Sequence, residues 1–186
     1  MSDLPEDFEI GLAIEADIPA MIWADKAASK LFEPTGLIEP EGLGDHVPSS
    51  VFVDEIPNET VFAARRNDGH AVGFAITRPR GKGLYLDQVS VHPDYGRNGI
   101  GRALVLRVLR EAEARRLPHV SLSTFRDLAW NGPFYASMGF AELPREKYES
   151  YMYEIEDAQR KYMDVGKRCF MRRRVRRTLF GVRTPL

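Results

Sequence analysis

Three glycines stand close together in the segment Gly96-Arg97-Asn98-Gly99-Ile100-Gly101-Arg102, which leads into an amphipathic run. Glycine lets a backbone turn with consecutive N–H groups pointing outward and with no Cβ in the way. Such donors, together with the positive end of a helix dipole, bind anions, and pyrophosphate is a natural ligand for them. The segment therefore predicts an anion site at the start of a helix.

Two common phosphate-binding motifs do not fit this segment. Gly96 and Gly101 have the spacing of a P-loop, but Arg102-Ala103 replaces the Lys and Ser/Thr that hold phosphate and Mg²⁺. The dinucleotide fingerprint that Gly99-Ile100-Gly101 begins lacks its third glycine, because Leu104 occupies that position. The sequence therefore disfavours both a nucleotide triphosphatase and a dinucleotide-binding enzyme.

The residues around the loop resemble the GNAT superfamily of N-acetyltransferases. The family motif Val-x-Pro-x-(Gln/Arg)-(Gly/Arg)-x-Gly-x-(Gly/Ala) corresponds to the stretch that begins Val91-His92-Pro93. A second motif, with Tyr five residues before the end of Gly-Phe, corresponds to Tyr135 and Gly139-Phe140. The specific resemblance lies within 86–140, and the order of elements extends it to roughly 8–175. Gly96 departs from the family's Gln/Arg, which removes a side-chain contact to phosphate but leaves the backbone donors.

The resemblance implies a set of acetyl-CoA contacts. The pyrophosphate would lie on the loop, at Arg97, Asn98, Gly99, Ile100, Gly101 and Arg102. The pantetheine arm would dock like an added strand on backbone groups of Val89, Ser90 and Val91. An N–H group there would polarise the thioester carbonyl. Asn131 is a further candidate contact with the cosubstrate; alternatively, it caps the helix that begins near Gly132.

The implied reaction needs two proton transfers. The departing CoA thiolate must gain a proton, and Tyr135 matches the family's tyrosine for this role, since a phenol is neutral at pH 7. The alternative is that Tyr135 only packs beside Phe134. The resemblance therefore implies that the amine attacks the thioester of acetyl-CoA directly in a ternary complex, without a metal ion.

The sequence does not identify the base that takes a proton from the acceptor ammonium. Many relatives carry Glu three residues before the Val-x-Pro, and Gln88 stands there in this sequence. The neighbouring Asp87 should face the opposite side of the strand. Three alternatives are a water chain, an acid from the first helix such as Asp25 or Glu33, and no dedicated base. Asp25 also reads as an ordinary solvated helix residue.

The pattern along the chain predicts a mixed α/β fold. Apolar alternation and turn signals predict strands at 8–14, 60–65, 71–76, 84–91, 120–124 and 168–172. Helical periodicity and end signals predict helices at 17–32, from 101 to Pro118, at 130–140 and at 145–164. Residues 33–58 should form a loop with at most a short helix, and this loop should contact substrate. We expect a GNAT-like central sheet with an early antiparallel meander, parallel pairing at the cofactor cleft and flanking helices.

Length and composition place further bounds. The chain has 186 residues, of which 44% are hydrophobic and 28% charged, so we expect one globular domain over 1–186. No apolar run approaches the roughly 20 residues that cross a bilayer, and the first residues do not resemble a leader. We therefore expect a cytoplasmic protein without membrane contact. Cys169, the only cysteine, should be a small buried hydrophobe, and the four histidines show no metal-ligand spacing.

Charge is distributed unevenly. Residues 1–60 hold fourteen acidic and two basic side chains, and residues 161–186 hold nine basic side chains and one acidic. These ends either neutralise each other across the fold or prefer different ligands. In the resembling fold the first helix and its loop line the acceptor side, so we expect the amine to belong to a cationic small molecule or peptide.

The basic C-terminal strand and tail, 167–186, allow another interpretation. The arginines between Met171 and Phe180 should flank a last strand, and without a nucleic-acid motif we do not expect nucleic-acid binding. Alternatives to an amine N-acetyltransferase are transfer of another acyl group, a hydroxyl acceptor, and a non-catalytic module that binds CoA or a polyanion. A homodimer is left open.

Overall fold

A computed structural model describes residues 4–175 as a mixed sheet with helices on both faces. The strands are β1 (Phe8–Leu12), β2 (Val61–Arg66), β3 (Ala71–Arg80), β4 (Gly83–Val91), β5 (His119–Phe125), β6 (Ala141–Glu142) and β7 (Arg168–Arg174). The helices are α1 (Ile18–Ser29), α2 (Ser49–Glu55), α3 (Ile100–Ala114), α4 (Gly132–Ser137) and α5 (Ser150–Gln159). The sheet order is β1-β2-β3-β4-β5-β7-β6. The predicted mixed α/β fold is confirmed.

The direction of the strands divides the sheet in two. β1 to β4 form an antiparallel meander, as predicted, and Gly69 adopts φ 84° in the turn between β2 and β3. β4 and β5 are parallel, and they pair only between Leu84–Leu86 and Val120–Leu122. Because β4 continues for five residues past Leu86, the two strands part there and open the sheet.

Separate cores lie on the two faces of the sheet. The apolar stripe of α3, which includes Leu104 and Val108, packs on β2, β3, β4 and β5. On the other face α1 and α2 bury Met21 and Phe52 against Phe74 of β3. A smaller cluster joins α5 to Tyr85 of β4 and Phe170 of β7. The site described below lies between these layers, where β4 leaves β5.

Three elements differ from the sequence-based expectation. α1 ends at Ser29, and a 3-10 turn over Lys30–Thr35 follows it. The predicted helix at 145–164 is only Ser150–Gln159, because Arg145–Lys147 forms a turn of its own and the Tyr148 ring packs on Phe170, with centroids 5.0 Å apart. The two-residue strand β6 was not predicted.

The other expected elements are present. The loop over 33–58 contains one short α-helix, α2, as predicted. The basic run forms β7, which pairs antiparallel with all of β5, so the predicted last strand is confirmed. The rest of the basic tail, 176–186, lies outside the described residues.

Within residues 4–175, no helix has the length and hydropathy of a membrane span. No group of three or more His, Cys, Asp or Glu side chains in that part could hold a metal ion. Cys169 is buried, and burial raises the pKa of its thiol to about 11, which agrees with the expectation of an unreactive core residue.

Candidate active site

A β-bulge in β4 lies at the point where β4 leaves β5. Ile76 of β3 pairs with Gln88, but Thr77 pairs with Leu86, so Asp87 is an extra residue on β4. Bulges re-aim side chains near sites of function. Here Gln88 donates to Asp25 of α1, and Asp87 forms an ion pair with Arg78, 3.2 Å from Nε to Oδ2.

The bulge corrects one expectation from the sequence. Arg78 also pairs with Glu55 of α2, so Asp87 and Gln88 both meet groups associated with the α1–α2 layer. The expectation that Asp87 faces the opposite side from Gln88 is wrong, because the extra residue breaks the strict alternation of a regular strand.

The parted strands open a cleft of about 580 Å³. Its lining combines β4, the glycine loop, the first turn of α3, β5 and α4. Nine of the eleven residues predicted to form the site line this cleft: Val89, Ser90, Val91, Arg97, Gly99, Gly101, Arg102, Asn131 and Tyr135. The other two lie beside it: the Asn98 side chain is exposed outside the lining, and the Ile100 side chain is buried in the α3 core.

The glycine loop delivers the start of α3 to the cleft. Gly99 adopts φ 78°, a left-handed conformation that suits glycine, and stands directly before the first residue of α3. Arg97 also has a positive φ, 63°. The first N–H groups of a helix have no acceptor within it, so they are free to bind an anion. A Cβ on Gly101 would lie 3.8 Å from the nearest side-chain atom, Cγ2 of Val91, so the space beside this residue is open.

Tyr135 lies on α4 across the cleft from the loop. Its ring packs edge-on against Phe134 and Phe140, with centroids 5.1 and 5.8 Å away. Its hydroxyl has no hydrogen-bond partner within residues 4–175. Burial raises the pKa of Tyr135 to about 12, although the nearby Arg168 acts in the opposite direction. The phenol is therefore protonated at neutral pH and can donate to a group in the cleft.

Asn131 connects α4 to β5. Its Oδ1 accepts a hydrogen bond from Thr124 Oγ1 at 2.8 Å, and its backbone carbonyl accepts from the Tyr135 N–H at 3.0 Å. The side chain makes no capping bond to α4, so the expectation of a side-chain cap is wrong. The tie to Thr124 instead fixes the position of Tyr135 relative to the parted strand.

Asp25 joins three segments beneath the cleft. Its carboxylate accepts from Ser90 Oγ and Gln88 Nε2 of β4 and from the Val47 N–H of the long loop. It is 3% exposed, so the expectation of a solvated helix residue is wrong. These three donors occupy its oxygens, which gives Asp25 a structural role.

The far end of the cleft is closed by contacts between distant parts of the chain. Ile38 forms an isolated antiparallel bridge with Met163, and the Glu39 N–H donates to the Tyr162 carbonyl at 2.8 Å. The long loop thereby meets the chain after α5 and encloses this end. Phe32, Ile38, Gln159 and Met163 line it. Acidic side chains of the same loop, including Glu39, Glu41 and Asp45, are exposed around it.

Two charged residues of this end were not singled out from the sequence. Asp87 was discounted because a regular strand was assumed. Arg168 was placed at the start of the predicted last strand and was counted only as part of the basic charge of 161–186, yet it lines the cleft. The available signal was its position directly before the buried residues Cys169, Phe170 and Met171, since a charge at the start of a buried run requires an environment of its own.

Solved structures with the same fold are N-acetyltransferases and a related synthase. PaiA N-acetyltransferase of Thermoplasma acidophilum, in complex with coenzyme A, has a TM-score of 0.70 and 15% identity over 90% of this chain and 98% of that chain. The ribosomal-protein-S18-alanine N-acetyltransferase of Escherichia coli has a TM-score of 0.63 and 21% identity over 96% of this chain and 99% of that chain. N-acetylglutamate synthase of Neisseria gonorrhoeae, complexed with coenzyme A and N-acetyl-glutamate, has a TM-score of 0.67 and 17% identity over 91% of this chain and 35% of that chain.

A family profile gives the assignment that the structural likeness alone does not. The profile described as acetyltransferase (GNAT) family matches residues 26–140. The matched range holds the glycine loop, the bulged strand β4 and Tyr135, and it confirms the resemblance that the two motifs predicted. The chain belongs to the GNAT family of acetyltransferases.

Proposed function

We propose that this acetyltransferase moves the acetyl group of acetyl-CoA directly to a primary amine in a ternary complex. The observation that carries the proposal is the opening between β4 and β5, with the start of α3 on one side and Tyr135 on the other. One wall offers backbone donors for phosphate, and the other offers a protonated phenol.

The unpaired edge of β4 fits the extended arm of acetyl-CoA. Past Leu86, β4 pairs with β3 on one side only, so its other edge has free backbone groups. An extended ligand can add there like a strand, with Val89, Ser90 and Val91 as its partners. Arg97 to Arg102 then hold the pyrophosphate through the N–H groups at the start of α3. Asn131 lies close enough to the cleft to contact the same arm.

Asp87 is our candidate for the base that receives the ammonium proton. It lines the cleft, and burial raises the pKa of its carboxyl, while Arg78 and Arg80 act in the opposite direction. A raised pKa makes a carboxylate a stronger base. Asp25 is occupied by three donors, and Glu33 is exposed and does not line the cleft.

Tyr135 is our candidate for the acid that protonates the thiolate. As the amine nitrogen attacks the acetyl carbonyl, the C–S bond breaks and the sulfur gains negative charge. The phenol then gives its proton to the sulfur, the amide nitrogen loses its second proton, which returns to the phenolate directly or through water, and the amide leaves with free CoA–SH. The buried ring keeps this proton at neutral pH, since burial raises the pKa of Tyr135.

The acceptor side favours a cationic small molecule or peptide. A primary amine arrives as an ammonium, and Glu39, Glu41 and Asp45 surround the end of the cleft opposite the phosphate site. Within the acidic first third, Asp17 pairs with Arg65 and Glu55 with Arg78. Within residues 4–175, Glu39, Glu41 and Asp45 form no such ion pair and are exposed, which supports attraction of cations to this end.

The test is release of CoA thiol from acetyl-CoA with a panel of primary amines. Tyr135→Phe keeps the ring packing and removes the proton donor, so turnover should fall by roughly 10²-fold while acetyl-CoA affinity changes little. Phe134→Leu alters a neighbouring ring without removing a donor and serves as the control. Wild-type turnover of Tyr135→Phe, both in steady state and in a single turnover, would rule out the acid role.

A further inference from the structure

Arg168 is held at the acceptor end of the cleft by neutral groups only. Its Nε donates to Gln159 Oε1 of α5 at 2.9 Å and lies 3.3 Å from Ser123 Oγ of β5. Its Nη2 donates to the same hydroxyl at 3.2 Å, and the guanidinium carbon lies 4.6 Å from the centroid of the Phe125 ring. These contacts fix the plane of the guanidinium between α5 and β5.

No carboxylate neutralises this cation within residues 4–175. Other arginines of the described chain, such as Arg65 and Arg145, form ion pairs with Asp or Glu. The titratable side chains that act on Arg168 are those of Tyr85, Cys169 and Tyr135, and burial raises the pKa of each of them, so they are neutral at pH 7. Burial lowers the pKa of Arg168, which means that the surroundings disfavour its charge. An arginine stays protonated all the same, so a buried guanidinium without an anion is unfavourable until an anion binds.

The position of Arg168 places such an anion beside the reacting end of the cleft. Ser123, which fixes the guanidinium, is the residue directly after the last β4–β5 pair. Asp87 raises the pKa of Tyr85 and Arg168 lowers it, so the proposed base and this cation both act on one tyrosine. Nη1 of Arg168 makes no hydrogen bond within the described chain and belongs to a side chain that lines the cleft.

The phosphates of acetyl-CoA are not the anion that this geometry favours. Arg97 and Arg102 belong to the glycine loop and the first turn of α3. Arg168 instead contacts α5, β5 and the Phe125 ring, and that ring packs against Phe32 of the acceptor side, with centroids 5.8 Å apart. A planar guanidinium with a free edge matches a carboxylate in shape and charge.

We propose that Arg168 binds a carboxylate of the acceptor, so that the substrate is an amine that also carries a carboxylate. The inference rests on the proposed amine acetylation and narrows its substrate class. The amine lies toward Asp87, and the carboxylate lies toward Arg168. An acceptor that carries a second ammonium as well, as lysine does, has the net positive charge that the exposed acids of the long loop favour.

The test uses matched acceptors that differ only in this charge. Thiol release is measured with glycine, β-alanine, lysine and glycylglycine, and with the amide of each. Wild-type protein should use the best carboxylate with kcat/KM at least tenfold above its amide. Arg168→Gln keeps hydrogen-bond donors toward Ser123 and removes the charge, so it should abolish the preference, with kcat/KM for the carboxylate reduced to that for its amide. Arg173→Gln, in the same strand, is the control and should keep the preference.

The outcomes separate this inference from the proposed function. A role of Arg168 in folding alone would lower both members of a pair equally, and equal use of acids and amides by wild type would contradict the inference without any variant. Thiol release with diamines, when neither the carboxylates nor their amides are acetylated, would contradict the inference as well. If no primary amine releases thiol, although acetyl-CoA binds, the proposed amine acetylation itself is wrong.

Discussion

At the scale of single residues, Gly101 is the position at which an added charge tests the proposed phosphate site. It follows the first residue of α3 and lines the cleft where the N–H groups of the helix are free. The space beside it accommodates a Cβ, with its nearest neighbour 3.8 Å away. A substitution there should therefore act on the ligand more than on the fold.

Gly101→Asp should weaken acetyl-CoA binding at least tenfold, about 1.4 kcal/mol. The carboxylate places a negative charge beside the expected pyrophosphate, while an acid in the first turn of a helix is compatible with its dipole. Isothermal calorimetry with CoA measures the change. Gly101→Ala adds the Cβ without the charge and should bind nearly as wild type does. Unchanged affinity in a folded Gly101→Asp variant would remove the phosphate site from this loop.

Asp87 predicts a specific pH dependence. Burial raises the pKa of this carboxyl, so it stays protonated to a higher pH than an ordinary aspartate. Because the base must be ionised, kcat/KM should fall as pH decreases through this raised pKa. Arg78→Gln removes a cation that lowers the pKa and should move the acid limb to still higher pH.

Asp87→Asn should lower kcat by about 10²-fold or more and abolish that limb. The measurement is a pH profile of kcat/KM for one amine acceptor, with thermal melting at each pH to exclude unfolding. If Asp87→Asn retains both the limb and the turnover, the proton leaves through water or another group.

At the scale of elements, α1 is attached to the sheet by one carboxylate. Oδ2 of Asp17 accepts the Ile14 N–H at 2.8 Å, and Oδ1 accepts from Nε of Arg65 at 2.9 Å. The side chains of Asp17 and Arg65 are 5% and 12% exposed. The pair fixes the entrance of α1 against β2, and α1 in turn positions Asp25 beneath the cleft.

Asp17→Ala should destabilise the fold by about 3 kcal/mol, because removing one partner of a buried pair leaves the other charge uncompensated. Chemical denaturation gives the free energy of unfolding. Glu15→Ala removes an exposed acid from the same turn and should change it by less than about 0.5 kcal/mol. If the two variants unfold at the same denaturant concentration, the pair contributes nothing to stability.

At the scale of the whole molecule, the acidic and basic segments differ in their surroundings within residues 4–175. The acids of the long loop surround the acceptor end of the cleft, and several arginines of β7 have local partners, such as Glu149 for Arg172 and the Met138 carbonyl for Arg173. In the proposed function, the resulting field favours cations at one end of the cleft, and the cosubstrate phosphates bind at the other.

This arrangement predicts that kcat/KM for a cationic amine falls between about 20 and 200 mM salt, while kcat stays constant, because salt screens the exposed acids over a Debye length near 10 Å at 0.1 M. Glu39→Gln combined with Glu41→Gln should flatten the dependence. The control combines Glu6→Gln with Glu9→Gln, two exposed acids near the edge strand β1. A slope that is the same in both double variants would contradict electrostatic attraction at this loop.

The sequence by itself determined the features that depend on neighbouring residues. The glycines at 96, 99 and 101 and the apolar stripe that follows predicted the phosphate loop and α3, because backbone freedom and a 3.6-residue period are local properties. Asp68-Gly69 predicted the hairpin for the same reason. The motif around Tyr135 located the second wall of the cleft.

Only the tertiary structure decided which charged groups meet in the cleft. The bulge at Asp87 depends on the register between β3 and β4, and the burial of Asp25 depends on contacts with β4 and the long loop. Arg168 lies in the cleft because β7 pairs with β5 next to the point where β4 separates from β5. Such register and strand order arise from packing between residues far apart in the chain, and no local pattern in the sequence encodes them.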